Sequence, residues 1–227
     1  MDAALSLSAY HPLSLPIDAG GIPVFYDLTY LSVRPGQLGP VMSGLPSALA
    51  ASCDAGTLIG CMSCDIGGLN RVAVLTAYDD LDTLLANAAA TIGAINPYGV
   101  SAHLTGIEQA AFQPLRCATD IQPEEFGPFY EIRTYEIAAG GMADIEAAWA
   151  KAVDKRNILS KLLMVMASVD TMPTRMVEIW PYKSLDERAK TRADASKLGV
   201  WPPSVGATHV LSMRAEVFVP LPISPLR

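Results

Sequence analysis

Two kinds of hydrophobic spacing divide the second half of the chain into elements. Phe129 to Ile137 alternates apolar and polar positions and is rich in aromatic and β-branched residues, which predicts a strand. Ala138 to Gly141 supplies a turn. Met142, Ile145, Trp149, Ala152 and Val153 then recur at helical spacing. Lys161 to Val169 and Arg175 to Tyr182 predict two further strands, joined through Asp170 to Pro173. Ser184 and Glu187 have the spacing of a capping box: the serine oxygen accepts from the glutamate N–H, and the glutamate side chain reaches back. The helix they open runs to about Leu198, and Thr208 to Val219 predicts a last strand. The order is β-α-β-β-α-β, the split βαβ or ferredoxin-like pattern.

The first half carries a fainter copy. Phe25, Tyr26, Asp27 and Leu28 correspond to Phe129, Tyr130, Glu131 and Ile132. The same offset aligns Gly36 with Gly140, Arg71 with Arg175, and Tyr78 with Tyr182. Near the end two more residues enter, around Trp201 to Pro203, and His103 aligns with His209. The reading is α+β: an irregular lead-in at 1–21, one unit at 22–117, a linker at 118–127 and a second unit at 128–227. Helices cover one face of such a sheet only, so the other must pair or leave apolar surface bare. Two copies in one chain suggest sheet faces packed together, within the chain or across a dimer, as an α/β-barrel.

The chain has 227 residues, 51% hydrophobic and 17% charged, with a net charge of -7. That balance predicts a packed core and no nucleic-acid partner, since no basic face is available to displace counterions. The longest apolar stretch, Leu84 to Val100, is broken by Asn87, Asn96 and Pro97, so no membrane insertion is expected. No basic n-region precedes Arg34, and the reading places the protein in the cytoplasm. Charge is unevenly shared: residues 1–120 hold three basic and ten acidic residues, and residues 121–227 hold thirteen of each. A charge-poor first unit suits a subunit interface, so a homo-oligomer, dimer or higher, is expected. An acidic spacer is the other reading of the same pattern.

Chemistry-bearing residues are few. Cys61 and Cys64 have CxxC spacing, but positions i and i+3 of a strand point to opposite faces, so reduced structural thiols are expected for them and for Cys53 and Cys117. His103 and His209 sit at equivalent positions, which favours a structural role. No metal-ligand pattern and no phosphate loop is present, and neither metal nor cofactor is expected. The richest constellation is on the second unit. Glu131, Arg133 and Tyr135 share one strand face, and Glu178, Trp180 and Tyr182 share another. The two strands are central neighbours in a ferredoxin-like sheet, so the sets converge. Such a face suits a small anionic or aromatic molecule, and Glu178 or Glu131 could act as a base if buried. The other reading is a structural ion pair with packed aromatics.

The run Tyr130-Glu-Ile-Arg-Thr-Tyr135, Gly140, the strand from Arg175 to Trp180 and Tyr182, Arg188 and the later Trp201 together resemble the NIPSNAP family. The first unit resembles a degenerate version, with Thr29 for Arg133, Thr76 for Trp180 and Leu84 for Arg188. The resemblance implies a dimeric α/β-barrel fold. It places the chain in a superfamily with cofactor-free monooxygenases, a lactone isomerase and haem-binding chlorite dismutases, although no predicted helix carries a histidine for a haem iron. The expectations are ligand binding on the second unit, as a cofactor-free oxygenase or isomerase, or a non-catalytic oligomeric scaffold. No catalytic residue is assigned.

Overall fold

In each half of the chain the strands alternate between a face that meets helices and a face that meets the other half. A computed structural model describes residues 24–52, 56–118, 124–203 and 206–227. The lead-in at 1–21, Cys53 and half of the expected linker lie outside the described residues. The first set of elements is β1 (Phe25–Val33), α1 (Leu38–Ser52), β2 (Thr57–Ile66), β3 (Arg71–Tyr78), α2 (Leu81–Gly93) and β4 (Leu104–Pro114). The second is β5 (Phe129–Ile137), α3 (Met142–Asn157), β6 (Met164–Ser168), β7 (Thr174–Tyr182), α4 (Leu185–Lys197), α5 (Gly206–His209) and β8 (Val210–Pro220). The two sets follow the same β-α-β-β-α-β order.

The fold is α+β, with two ferredoxin-like units completing one barrel. The strands close in the order β1-β3-β2-β8-β5-β7-β6-β4. Each unit contributes four consecutive staves. Antiparallel pairing of β2 with β8 and of β4 with β6 joins them. The pairing of sheet faces is thus met inside one chain. Tyr26, Leu28, Met62, Leu75, Phe112, Tyr130, Ile132, Ile179 and Phe218 fill the barrel. The outer face of the second unit packs under its helices through Ile145, Trp149, Val153 and Trp180.

Local signals explain several element ends. Ser184 caps α4 by accepting from the Glu187 N–H at 3.0 Å, and Glu187 reaches back to the Lys183 N–H at 2.6 Å. Gly36 and Gly140 have φ of +78° and +80°, a left-handed turn that a side chain would disfavour. Two expected boundaries move. The strand expected from Lys161 begins at Met164, because the Leu162 N–H is drawn to Asn157 Oδ1 at 2.8 Å. The strand expected from Thr208 begins at Val210. Gly206–His209 instead forms a helical turn, held where His209 Nε2 lies 3.0 Å from Asp144 Oδ2. His103 plays the same part in the first unit, 3.0 Å from Gln37 Oε1 ahead of α1. Cys61 packs beneath α1 while Cys64 faces the barrel, and burial pushes their thiols up to about 12 and about 11.

An ion network crosses both seams. Arg71 on β3 lies 2.8 Å from Glu216 on β8, and also pairs with Glu108 on β4. Glu108 in turn pairs with Arg175 on β7. The Arg71 guanidinium stacks 4.0 Å above the Tyr30 ring. Glu216 is only 2% exposed, and without Arg71 it keeps only the half-exposed Arg214, at 3.0 Å, as a counter-charge. Arg71→Ala should therefore lower stability by about 2 kcal/mol in urea unfolding. Both units should still unfold in one transition, and two resolved transitions would contradict this view of the seams.

Candidate functional site

Adjacent central strands bring the six candidate residues onto the outer face of the second unit, beneath α3 and α4. The register of β5 and β7 sets Glu131 opposite Trp180 and Arg133 opposite Glu178. Directly opposed residues point to the same side, so the alternation along each strand converges in space. Arg133 lies 3.1 Å from Glu131 and 3.5 Å from Glu178. The Tyr135 hydroxyl donates to Glu178 Oε1 in a short hydrogen bond.

The two carboxylates differ in their surroundings. Arg188 and Arg192 on α4 add to Arg133 around Glu131, at 2.5 and 3.2 Å. Burial pushes the Glu131 carboxyl up, but the Arg188 hydrogen bond and the Arg133 charge outweigh it and hold it below its ordinary value. Glu131 is therefore a fixed anion. Glu178 is fully buried, and desolvation raises its carboxyl despite Arg133 and Tyr135. Burial opposes the Arg133 charge as well, yet Glu178, Tyr135 and Glu131 together hold the guanidinium more firmly protonated. Burial and the Glu178 charge raise the Tyr135 phenol, so that proton stays on oxygen at neutral pH.

Above this layer lies a cleft of about 620 Å³. Arg133, Tyr135 and Trp180 form part of its floor, Arg156 and Arg192 stand at its sides, and Trp201 forms a wall. Arg156 Cζ sits 4.1 Å over the Trp180 ring, and Arg156 donates to the Tyr182 hydroxyl at 3.3 Å. Trp201 meets Trp180 and Trp149 edge-on, with centroids 5.6 and 4.6 Å apart. Among the described lining residues there are three guanidiniums and no carboxylate. Glu131, Glu178 and Tyr182 are in the layer but do not line the cleft. The expected alternatives of open pocket and packed ion pair are thus stacked, one above the other.

Arg156 and Arg192 are absent from the sequence-derived set. Both are helix residues whose relevance depends on which helix face meets the sheet. A faint signal exists: Arg156 lies two turns after the core residue Trp149, and Arg192 one turn after Arg188.

Residues 130–225 match the model of the NIPSNAP family. The second unit is a NIPSNAP domain. The NipSnap protein of Drosophila melanogaster is 31% identical over 98 residues, which are 42% of this chain and 36% of that protein. The chain thus spans about a third of the length of that curated relative. Over nearly the whole chain, the fold is similar to that of a candidate monooxygenase from Lactobacillus acidophilus, with a TM-score of 0.60 and 12% identity. That match covers 87% of this chain and 94% of the other. A second candidate monooxygenase, from Fusobacterium nucleatum, matches with a TM-score of 0.63 and 9% identity, over 88% and 93% of the two chains. At these identities the likeness is one of fold. The NIPSNAP domain supplies the arginines and tryptophans of the cleft; the first unit supplies other residues at the same places.

In the first unit Asp27 occupies the place of Glu131, the third residue of its strand, without the guanidiniums. It is 3% exposed and accepts from Thr29 at 2.6 Å and Gln109 at 2.5 Å. Burial lifts its carboxyl to about 6 from 3.8. A carboxyl raised on folding adds stability while protonated and loses that contribution as pH rises through its folded value. A shift of that size corresponds to about 3 kcal/mol, part of which Asn would forfeit in hydrogen bonding. Asp27→Asn should raise stability by about 1–2 kcal/mol at pH 7.5, with the gain shrinking from pH 6 towards pH 4. Urea unfolding of both proteins across that range checks it, and a difference independent of pH would contradict the assignment.

Proposed function

We propose that the NIPSNAP domain binds a small planar aromatic anion in the cleft beneath α4. The observation that supports this is the convergence of Arg133, Arg156 and Arg192 on a cavity walled by Trp180 and Trp201, with no carboxylate among the described lining residues. Guanidiniums bind carboxylates through paired N–H donors, and indoles supply apolar faces for a ring. The Glu131 and Glu178 charges beneath are already matched by Arg133, Arg188 and Arg192, so they hold the donors in place without repelling an anion.

Arg133 is a poor residue with which to test binding, because it is buried between two carboxylates and its loss would cost stability too. Arg192, whose side chain is 45% exposed, separates the two effects. Isothermal titration with 2-naphthoate should show binding at least tenfold tighter than with the uncharged 2-naphthamide. Arg192→Ala should weaken 2-naphthoate about tenfold, equivalent to about 1.4 kcal/mol, with stability changed by less than about 1 kcal/mol. Equal affinity for the two compounds would refute the reading.

Oxidation of the bound molecule by O2 is a second reading, favoured by the Tyr135 hydroxyl that joins the cleft to buried Glu178. Glu178 could take up a proton lost by a phenol or an acidified C–H, passed through the Tyr135 hydroxyl. The two structural relatives described as candidate monooxygenases agree with this chemistry. Anthrone is a suitable probe. Its methylene carbon loses two hydrogens and gains one oxygen atom of O2 as a carbonyl, and the other oxygen leaves as water. The oxygenase reading expects one O2 consumed per anthrone, at a rate that falls at least tenfold in Tyr135→Phe. No uptake above the spontaneous rate, with 2-naphthoate binding intact, would leave a binding protein. The homo-oligomer expected from the charge-poor first unit belongs to the same proposal and is checked by sedimentation.

A further inference from the structure

A second cavity, of about 360 Å³, lies against the outer face of the first unit, between α2 and β4. Its charge is opposite to that of the cleft. Asp27 and Asp170 both line it, and no lysine, arginine or histidine does so among the described residues. Asp170 belongs to the connection between β6 and β7, so the cavity is completed by the second unit. The two carboxylates flank one residue: Ala111 is the register partner of Asp27, and its N–H donates to Asp170 Oδ2 at 3.1 Å. Each Asp27 oxygen already accepts one hydrogen bond, from Thr29 or Gln109, and keeps a second lone pair. A buried carboxylate with neutral partners only is a costly arrangement, and a cation supplied by a ligand would relieve it.

Apart from Thr91 and Gln109, the remaining walls are apolar. Leu84, Ala88 and Ile92 come from α2, and Pro97 and Ile107 complete the lining. Ile92 is 83% exposed and Ile107 is 37% exposed, so together they form an apolar rim open to solvent. Apolar walls suit an organic body and not a hydrated metal ion.

We propose that this cavity is a binding site for a small primary ammonium compound with an apolar body, its charged head set between Asp27 and Asp170. The site is independent of the aromatic-anion cleft. The groups that share the field of Asp27 are Asp170, whose charge raises its carboxyl, and the Tyr78 and Tyr98 hydroxyls in the neighbouring cavity of about 210 Å³. Burial and the Asp27 charge push the Tyr78 hydroxyl up to about 12, so neither phenol competes as an anion near neutral pH. Asp27, with a carboxyl near 6, is mostly ionised at pH 7.5 and mostly protonated at pH 5.

The probes are benzylamine, benzyl alcohol and benzoate, titrated into the full chain at pH 7.5 by calorimetry. Benzylamine should bind at least tenfold tighter than benzyl alcohol, and benzoate should not displace it. Asp27→Asn should weaken benzylamine at least tenfold, and Asp170→Asn, which can still accept from the Ala111 N–H, several-fold. Ala88→Trp, which fills the cavity while keeping both aspartates, should abolish binding. Lowering the pH to 5 should weaken benzylamine in the wild type, since the amine stays charged while Asp27 is neutralised. Arg192→Ala should leave benzylamine affinity unchanged, and Asp27→Asn should leave 2-naphthoate affinity unchanged, so either site can fail alone. Equal affinity for the three probes, or benzylamine binding indifferent to Asp27→Asn and Ala88→Trp, would overturn the proposal.

Discussion

A four-stranded sheet with helices on one side leaves an apolar second face and two edges of unpaired N–H and C=O groups. Each is costly in water, and both are resolved here by one event, the closure of two such sheets on each other. Pairing of β2 with β8 and β4 with β6 uses up the edges, and the enclosed Tyr26, Leu28, Met62, Phe112, Tyr130, Ile132 and Phe218 form the core. The outer faces are then held in place by a rigid barrel. Arg133 and Glu178 can stay in register on neighbouring strands because those strands cannot slip without opening a seam.

Closure also explains how two similar faces acquired different chemistry. In the NIPSNAP domain the third residue of the first strand, Glu131, is surrounded by Arg133, Arg188 and Arg192. At the same place in the first unit, Asp27 has Thr29 and Gln109. One is a strongly charged layer with matched ions, the other a lone buried carboxylate. A symmetric dimer of identical chains would carry two copies of a single site. Joining the units in one polypeptide removes that restriction.

Much of the fold was legible because its signals are local. Strand alternation placed Glu131, Arg133 and Tyr135 on one face, helical spacing placed Ile145, Trp149 and Val153 on another, and the Ser184–Glu187 spacing marked a real cap. The boundaries that moved depend on single side-chain bonds, such as Asn157 drawing the Leu162 N–H and Asp144 holding the turn at His209. The site was legible in its strand-borne part only. Arg156 and Arg192 reach the cleft because their helices lie at a particular rotation over the sheet, which spacing does not specify. Asp27 looks in the sequence like any surface acid. What sets it apart is its burial, with Gln109 far along the chain and Asp170 in the other unit.

The seams have a consequence for the order in which the molecule can be assembled. Cys64 pairs across from Phe218, so the first seam joins residues far apart along the chain. Contacts of such long sequence separation form late and slow the search. On a ribosome the first unit would be complete while the second was still being made. Through that interval its inward side chains, Tyr26, Leu28, Met62, Leu75 and Phe112, would face solvent or whatever shields them. A stretch with so few charges has little electrostatic repulsion to keep neighbouring nascent chains apart. The acidic excess of residues 1–120 then acquires a meaning in synthesis: its like charges are the main repulsion this half carries before its partner arrives.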